Sequence, residues 1–254
     1  MKTITLKEEK IKDYFSTEAY RTLRTNMQFC GSDVKCIALT SCMPNEGKTT
    51  IAFEMAKSFA EVGKKVLLID ADLRKSVAVR KYTTEMGVVG LSRFLSGQAT
   101  EDEVIFHTQY PGFDIIFAGQ YPPNPVELLS GLTFRKLIED SKSVYDYVLI
   151  DTPPLGMVID CAVVAGICDS ALMVVSVGKI HRVQAIEVKE QLERSGVRIL
   201  GVILNHNTGK RIDQRKKKEG SRYYYAKKSD KTESGTGVKK NEAEKTASTF
   251  EVRN

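Results

Sequence analysis

The sequence has no cysteines in C-x-x-C spacing and no cluster of cysteine with histidine. Its five cysteines, Cys30, Cys36, Cys42, Cys161 and Cys168, are odd in number and scattered. That pattern argues against a disulfide framework or a zinc site and reads as reduced thiols in a cytosolic protein. The three histidines, His107, His181 and His206, stand alone and read as ordinary surface residues. Long apolar runs are missing too. The opening MKTITLKEEK is charged, so no signal peptide is expected. The longest apolar-rich run, 161–177, is broken by Asp169 and Ser170 and is short for a membrane span, so none is expected. Net charge is nearly absent from most of the chain. From Thr208 onward there are 14 Lys/Arg against 7 Asp/Glu, which leaves 24 against 25 for residues 1–207. The formal charge of +6 therefore belongs to the tail, and the body is neutral.

What is present is a core. The chain has 254 residues, 42% of them hydrophobic, which sets one or at most two domains. Continuous apolar runs at 36–40, 66–70, 113–118, 147–151, 171–177 and 199–205 read as strands buried on both faces. Helical patterns at 49–62, 125–140, 157–167 and 182–195 alternate with them, after an N-terminal helix near 17–29. The expected fold class is α/β, a parallel β-sheet flanked by helices. The pattern stops after Asn207. Residues 208–254 have few aliphatics and many charges and read as a disordered basic tail, set apart from a domain over 1–207.

Chemistry first shows at CMPNEGKT, residues 42–49, which follows the first long strand and opens a helix. It fits G-x-x-x-x-G-K-[ST] apart from Cys42 in place of the first glycine. Backbone N–H groups of such a loop, with the helix N-terminus, cradle phosphates. Asn45, Glu46, Gly47, Lys48, Thr49 and Thr50 are the candidate nucleotide-binding residues, with Lys48 on the outer phosphates and the Thr49 hydroxyl suited to Mg²⁺. VLLIDADLR then ends a strand in Asp70, with Asp72 and Arg74 following, and YVLIDTPP ends another in Asp151. Ligands of open α/β sheets sit beyond the carboxyl ends of the strands, where these three carboxylates gather. Asp70 and Asp72 are two apart, so a strand would point them the same way.

At these residues the chain resembles the bacterial protein-tyrosine kinases of capsular and exopolysaccharide synthesis, whose fold is that of the P-loop NTPases. The resemblance spans essentially the whole chain. It rests on SCMPNEGKTT, VLLIDADLR, YVLIDTPP, PPNPVELL (122–129), EAYRTLR (18–24) and the cluster Tyr223, Tyr224 and Tyr225. It implies an ATP-dependent tyrosine kinase that uses Mg²⁺ and autophosphorylates that cluster. Asp70 would accept the proton of the attacking phenol. Thr49, Asp72 and Asp151 would hold the metal, and Asn205, otherwise a strand-end turn former, could contact adenine. Glu18, Arg21 and Arg24, along one side of the first helix, would join subunits into a ring when unphosphorylated. Ala19, Leu23 and Met27 form a second stripe facing the core, with Ser16 or Thr17 as the expected cap. The implied partners are a membrane activator of polysaccharide assembly with a cytoplasmic tail, and a phosphotyrosine phosphatase. The implied location is the cytoplasm, at the inner face of the plasma membrane.

Two other readings stay open on the residues alone. A partitioning-type ATPase shares the fold, but carries a signature lysine five positions before the loop lysine, where this chain has Met43. A non-catalytic module could use the basic, tyrosine-bearing tail on nucleic acid or anionic lipid; beside a phosphate loop, nucleic acid is not expected. The charge of the tail generates a prediction. Each phosphotyrosine adds about −1.5 to −2, so three offset most of the tail's positive charge. Phosphorylated tail peptides should bind acidic surfaces of the kinase body or its partner more weakly than unmodified ones at moderate salt; equal affinities in a titration would contradict this.

Overall fold

The computed structural model describes residues 2–7, 14–85 and 87–206. The elements run β1 (Lys2–Thr3), α1 (Tyr14–Gln28), β2 (Cys36–Ser41), α2 (Lys48–Ala60), β3 (Val66–Asp70), α3 (Ala78–Tyr82), α4 (Leu91–Leu95), α5 (Glu101–Val104), β4 (Ile105–His107), β5 (Phe113–Ile116), α6 (Pro125–Ser130), α7 (Leu132–Val144), β6 (Tyr147–Asp151), α8 (Asp160–Ala165), β7 (Ser170–Ser176), α9 (Arg182–Glu193) and β8 (Arg198–Asn205). The strands form one eight-stranded sheet in the order β1-β4-β5-β3-β6-β2-β7-β8. Every neighbouring pair is parallel except β4 and β5.

The six continuous apolar runs of the sequence are six of these strands; β2, β3, β6 and β7 are buried on both faces almost throughout, while the edge strand β8 leaves Ile199, Val202 and Leu204 half-buried. Alternate side chains feed two cores. Leu67 and Ile69 of β3 join Phe134, Leu137, Ile138, Val164 and Leu192 on one face. Val66 and Leu68 join Leu23, Met27, Phe53, Met55 and Phe59 on the other. The stripe expected on α1 is therefore real: Leu23 and Met27 are buried, and Ala19 is half-buried.

Four expectations change in detail. Short β1 and β4, too brief to leave a pattern, extend the sheet. β4 runs antiparallel because the tight connection 108–112, with Gly112 at φ +84°, folds the chain straight back. The helix expected over 125–140 is two, broken at Gly131, whose extended backbone (ψ 158°) ends α6 and opens α7. α1 begins at Tyr14, so Ser16 and Thr17 lie within its first turn instead of capping it. The tail, with Tyr223, Tyr224 and Tyr225, lies outside the described residues.

Phe59 is fully buried and stacks on Tyr147 with ring centroids 4.0 Å apart. Phe59→Ala is expected to cost about 3–5 kcal/mol of unfolding free energy in urea titrations followed by circular dichroism. Leu132→Ala on the exposed end of α7 should stay within about 0.5 kcal/mol.

Candidate active site

The site lies at the carboxyl ends of the central strands. β2 ends at Ser41, the chain crosses 42–47, and α2 starts at Lys48. Two left-handed residues shape the crossing, Asn45 at φ 63° and Gly47 at φ 89°. Only glycine fits position 47, because a Cβ there would lie 2.1 Å from the Asn205 amide nitrogen as well as in a strained conformation. Gly156, just after Asp151 in the chain, packs against the Cys42 carbonyl so closely that a Cβ at 156 would come within 2.3 Å of it. Cys42 itself is no nucleophile: burial, with Glu46 nearby, pushes its thiol up to about 12.

Asp70 and Asp151 are direct neighbours, being paired in register across β3 and β6. Both are buried. Lys48, also buried, donates from its ammonium to Asp151 Oδ1. Burial first, and the charge of Asp151 second, push the Asp70 carboxyl up to about 7; the Ser76 hydroxyl opposes this by donating to Asp70 Oδ2, and Asp72 and Lys48 act in opposite directions. Asp72 lies past the end of β3 in a turn, and does not share a strand face with Asp70. Its Oδ1 accepts the N–H groups of Arg74 (3.3 Å) and Lys75 (3.0 Å), and its own N–H donates to Asp70 Oδ1 at 3.2 Å. Thr49 and Thr50 occupy the first turn of α2, half-buried, with the Lys81 ammonium donating to the Thr50 hydroxyl at 2.6 Å.

Glu46 and Asn205 brace the loop from the far side of the sheet. The Glu46 carboxylate accepts the Met43 N–H at 2.6 Å and the Ser176 N–H at 2.7 Å, tying the loop to the end of β7. Asn205 donates from Nδ2 to the Glu46 carbonyl at 2.7 Å, and its Oδ1 accepts the His206 N–H. Both polar atoms of Asn205 are thus engaged with the protein. His206, at φ 56°, is held to the Ser176 hydroxyl at 3.0 Å and is less isolated than its sequence context implies. Sequence reasoning also missed Ser76 and Asp160. Nothing in one sequence says that Arg74 reaches Asp160 86 residues away, yet it does so through two bonds of 2.8 and 3.0 Å.

The donors fit a nucleotide and a hard cation. The loop supplies inward backbone N–H groups at a helix start, and Thr49, Asp72 and Asp151 supply oxygen alone. No group of three or more metal-ligating side chains occurs among the described residues. Mg²⁺ takes one or two carboxylates and completes its shell with phosphate and water. The proposed subunit contacts stand apart from the site on α1. Arg21 pairs with Glu18 at 2.6 Å on the exposed face, while Arg24 turns inward and donates to the Ser58 carbonyl of α2 at 2.8 Å. No described helix is long and apolar enough to cross a membrane.

Residues 34–187 match the family model of an AAA domain. The tyrosine-protein kinase CpsD of Streptococcus agalactiae serotype III is 40% identical over 206 residues, covering 81% of this chain and 89% of that protein. The kinase domain of the Escherichia coli tyrosine kinase ETK superposes with a TM-score of 0.71 at 34% identity, covering 78% of this chain and 82% of that one. The septum site-determining protein MinD of Pyrococcus horikoshii, complexed with Mg-ADP, reaches 0.57 at 26% identity over 68% of this chain and 70% of its own.

The raised Asp70 carboxyl makes stability depend on pH. Ionising it opposes folding, so the penalty is absent below its ordinary 3.8 and grows until about 7. Asp70→Asn should therefore stabilise the protein more near pH 8 than near pH 4, by up to about 4 kcal/mol at about 1.4 kcal/mol per pKa unit. Denaturant melts at the two pH values check this, and a pH-independent difference would contradict it.

Proposed function

The chain belongs to the bacterial tyrosine-protein kinases, and on that premise we propose that it transfers the γ-phosphoryl group of ATP to protein tyrosines, its own Tyr223, Tyr224 and Tyr225 among them. The observation that carries this reading is the set Lys48, Asp70 and Asp151, gathered beside a phosphate loop at adjacent strand ends. The similarity to a tyrosine kinase domain exceeds that to a septum-site protein, and Met43 replaces the signature lysine of the partitioning ATPases.

Phosphoryl transfer demands positioning and charge stabilisation more than covalent chemistry. Loop amides from Asn45 to Thr50 and the Lys48 ammonium grip the phosphates. Thr49, Asp72 and Asp151 would hold Mg²⁺, which would supply positive charge against the transferring group. The attacking phenol, with an ordinary pKa near 10, loses its proton during the transfer and needs an acceptor. Asp70 is that acceptor, since a carboxyl near 7 balances availability with basicity at neutral pH. Asn205 keeps the loop in shape by bracing Glu46 and also meets the base. Glu18, Arg21 and Arg24 serve contacts between subunits of a ring, in which the basic tail of one reaches the site of the next. The chain works with the cytoplasmic segment of a membrane activator that recruits it to the inner face of the plasma membrane. A phosphatase reverses the modification, and the cycle regulates capsular or exopolysaccharide synthesis and export.

The full chain, incubated with Mg²⁺ and ATP with and without the activator's cytoplasmic segment, should carry phosphate on Tyr223–Tyr225 by mass spectrometry. Lys48→Met should remove the label. ATP hydrolysis without tyrosine labelling in the activated sample would instead mark a partitioning-type ATPase.

A further inference from the structure

Between Asp70 and Ser76 the chain makes a turn whose shape is set locally. Asp70 accepts from Asp72 and Ser76, and Asp72 accepts from Arg74 and Lys75. Such bonds define a turn but do not place it against the rest of the site. Its start is anchored by the Ala71 N–H on the Asp151 carbonyl at 2.8 Å. Electrostatics works against the remainder. Asp70, Asp72 and Asp151 are three carboxylates within interaction range, with Lys48 the cation that faces them. Like charges at such range push a loop outward.

Leu73 sinks its side chain into the core, and one polar side chain also ties the turn inward. Arg74 leaves the turn and grips Asp160, the first residue of α8, with Nε at 2.8 Å and a terminal nitrogen at 3.0 Å. Asp160 is fully buried, and the Arg74 side chain is 32% exposed. α8 begins nine residues after Asp151, so the fork joins the segment carrying Asp70 and Asp72 to the segment carrying Asp151. A two-pronged guanidinium–carboxylate bond fixes orientation as well as distance, which an ammonium cannot do.

We propose that Arg74 and Asp160 form a positioning latch that sets the Asp70–Asp72 turn relative to Asp151, an inference that rests on the kinase reading above for its catalytic consequence. Neither residue touches the reacting atoms. The latch acts through the placement of the carboxylates.

Removing one partner leaves a buried charge unpaired and threatens folding. The informative variant is therefore Arg74→Met with Asp160→Leu, which removes both charges together; Arg74→Lys keeps the charge and loses the fork. The first readout is hydrogen exchange in the full chain without nucleotide. In the double variant, amides of 72–78 should exchange roughly tenfold faster, while those of β2 and α2 keep their protection. The second readout is tail phosphorylation with activator. There kcat should fall about 10²-fold in the double variant, with KM for ATP within about twofold, because misplacement by an ångström costs about that much. Arg74→Lys should fall between the two. Unchanged exchange over 72–78, or a raised KM with kcat intact, overturns the proposal. If the activated wild type labels no tyrosine, the kinase reading fails on its own, and the exchange experiment still decides whether the latch exists.

Discussion

The molecule depends on placing two like charges side by side in its interior. The register between β3 and β6 sets Asp70 against Asp151, both out of water. Buried carboxylates in that relation cannot both ionise without a partner. The surrounding structure supplies one in Lys48, the first residue of α2, and a hydroxyl bond from Ser76. The consequence is an asymmetric pair. Asp151 is engaged by a cation, and Asp70 is left poised to exchange a proton near neutrality. A site of this kind is costly to the fold and useful to chemistry, as expected where local rules are broken.

The strain is contained by a scaffold rigid on both sides. α2 is buried along most of its length beneath α1 on one face. The loop before it is clamped to β7 through Glu46 and to β8 through Asn205. The loop amides are thereby fixed by strands toward one edge of the sheet, and the acidic turn by Leu73 in the core and a contact to α8. Loop and carboxylates meet over the middle of the sheet but are secured independently.

Much of this was legible in the sequence, for identifiable reasons. Strands covered on two faces leave unbroken apolar runs, so β2, β3, β5, β6, β7 and β8 could be read directly. The loop at 42–49 announced itself through Gly47, Lys48 and Thr49, because backbone capture of phosphate restricts residue choice. Partnerships between distant side chains left no such trace. Arg74 with Asp160, Glu46 with Ser176 and Asn205 with Glu46 each join segments far apart in the chain, and a single sequence gives no correlation to betray them. Read as candidate nucleotide-binding residues, Glu46 is buried and bonds to the Met43 and Ser176 N–H groups, and Asn205 bonds to the Glu46 carbonyl, struts that no motif announces. Gly131 split one expected helix because its helical neighbours mask a residue that favours an extended break. Three-residue β4 was too short for periodicity to register.

Position 42 carries a side chain where such loops usually open on glycine, while Gly156, from the opposite bank, lies directly against the carbonyl of that residue. Tolerance to change is therefore distributed unevenly between two positions that never adjoin in the chain. Position 42 can carry a side chain, whereas a single methyl group at 156 would shove the neighbouring carbonyl and with it the whole anion cradle. Besides Gly47 within the loop, the loop requires a second smallest residue outside it, in the stretch that trails the acidic strand.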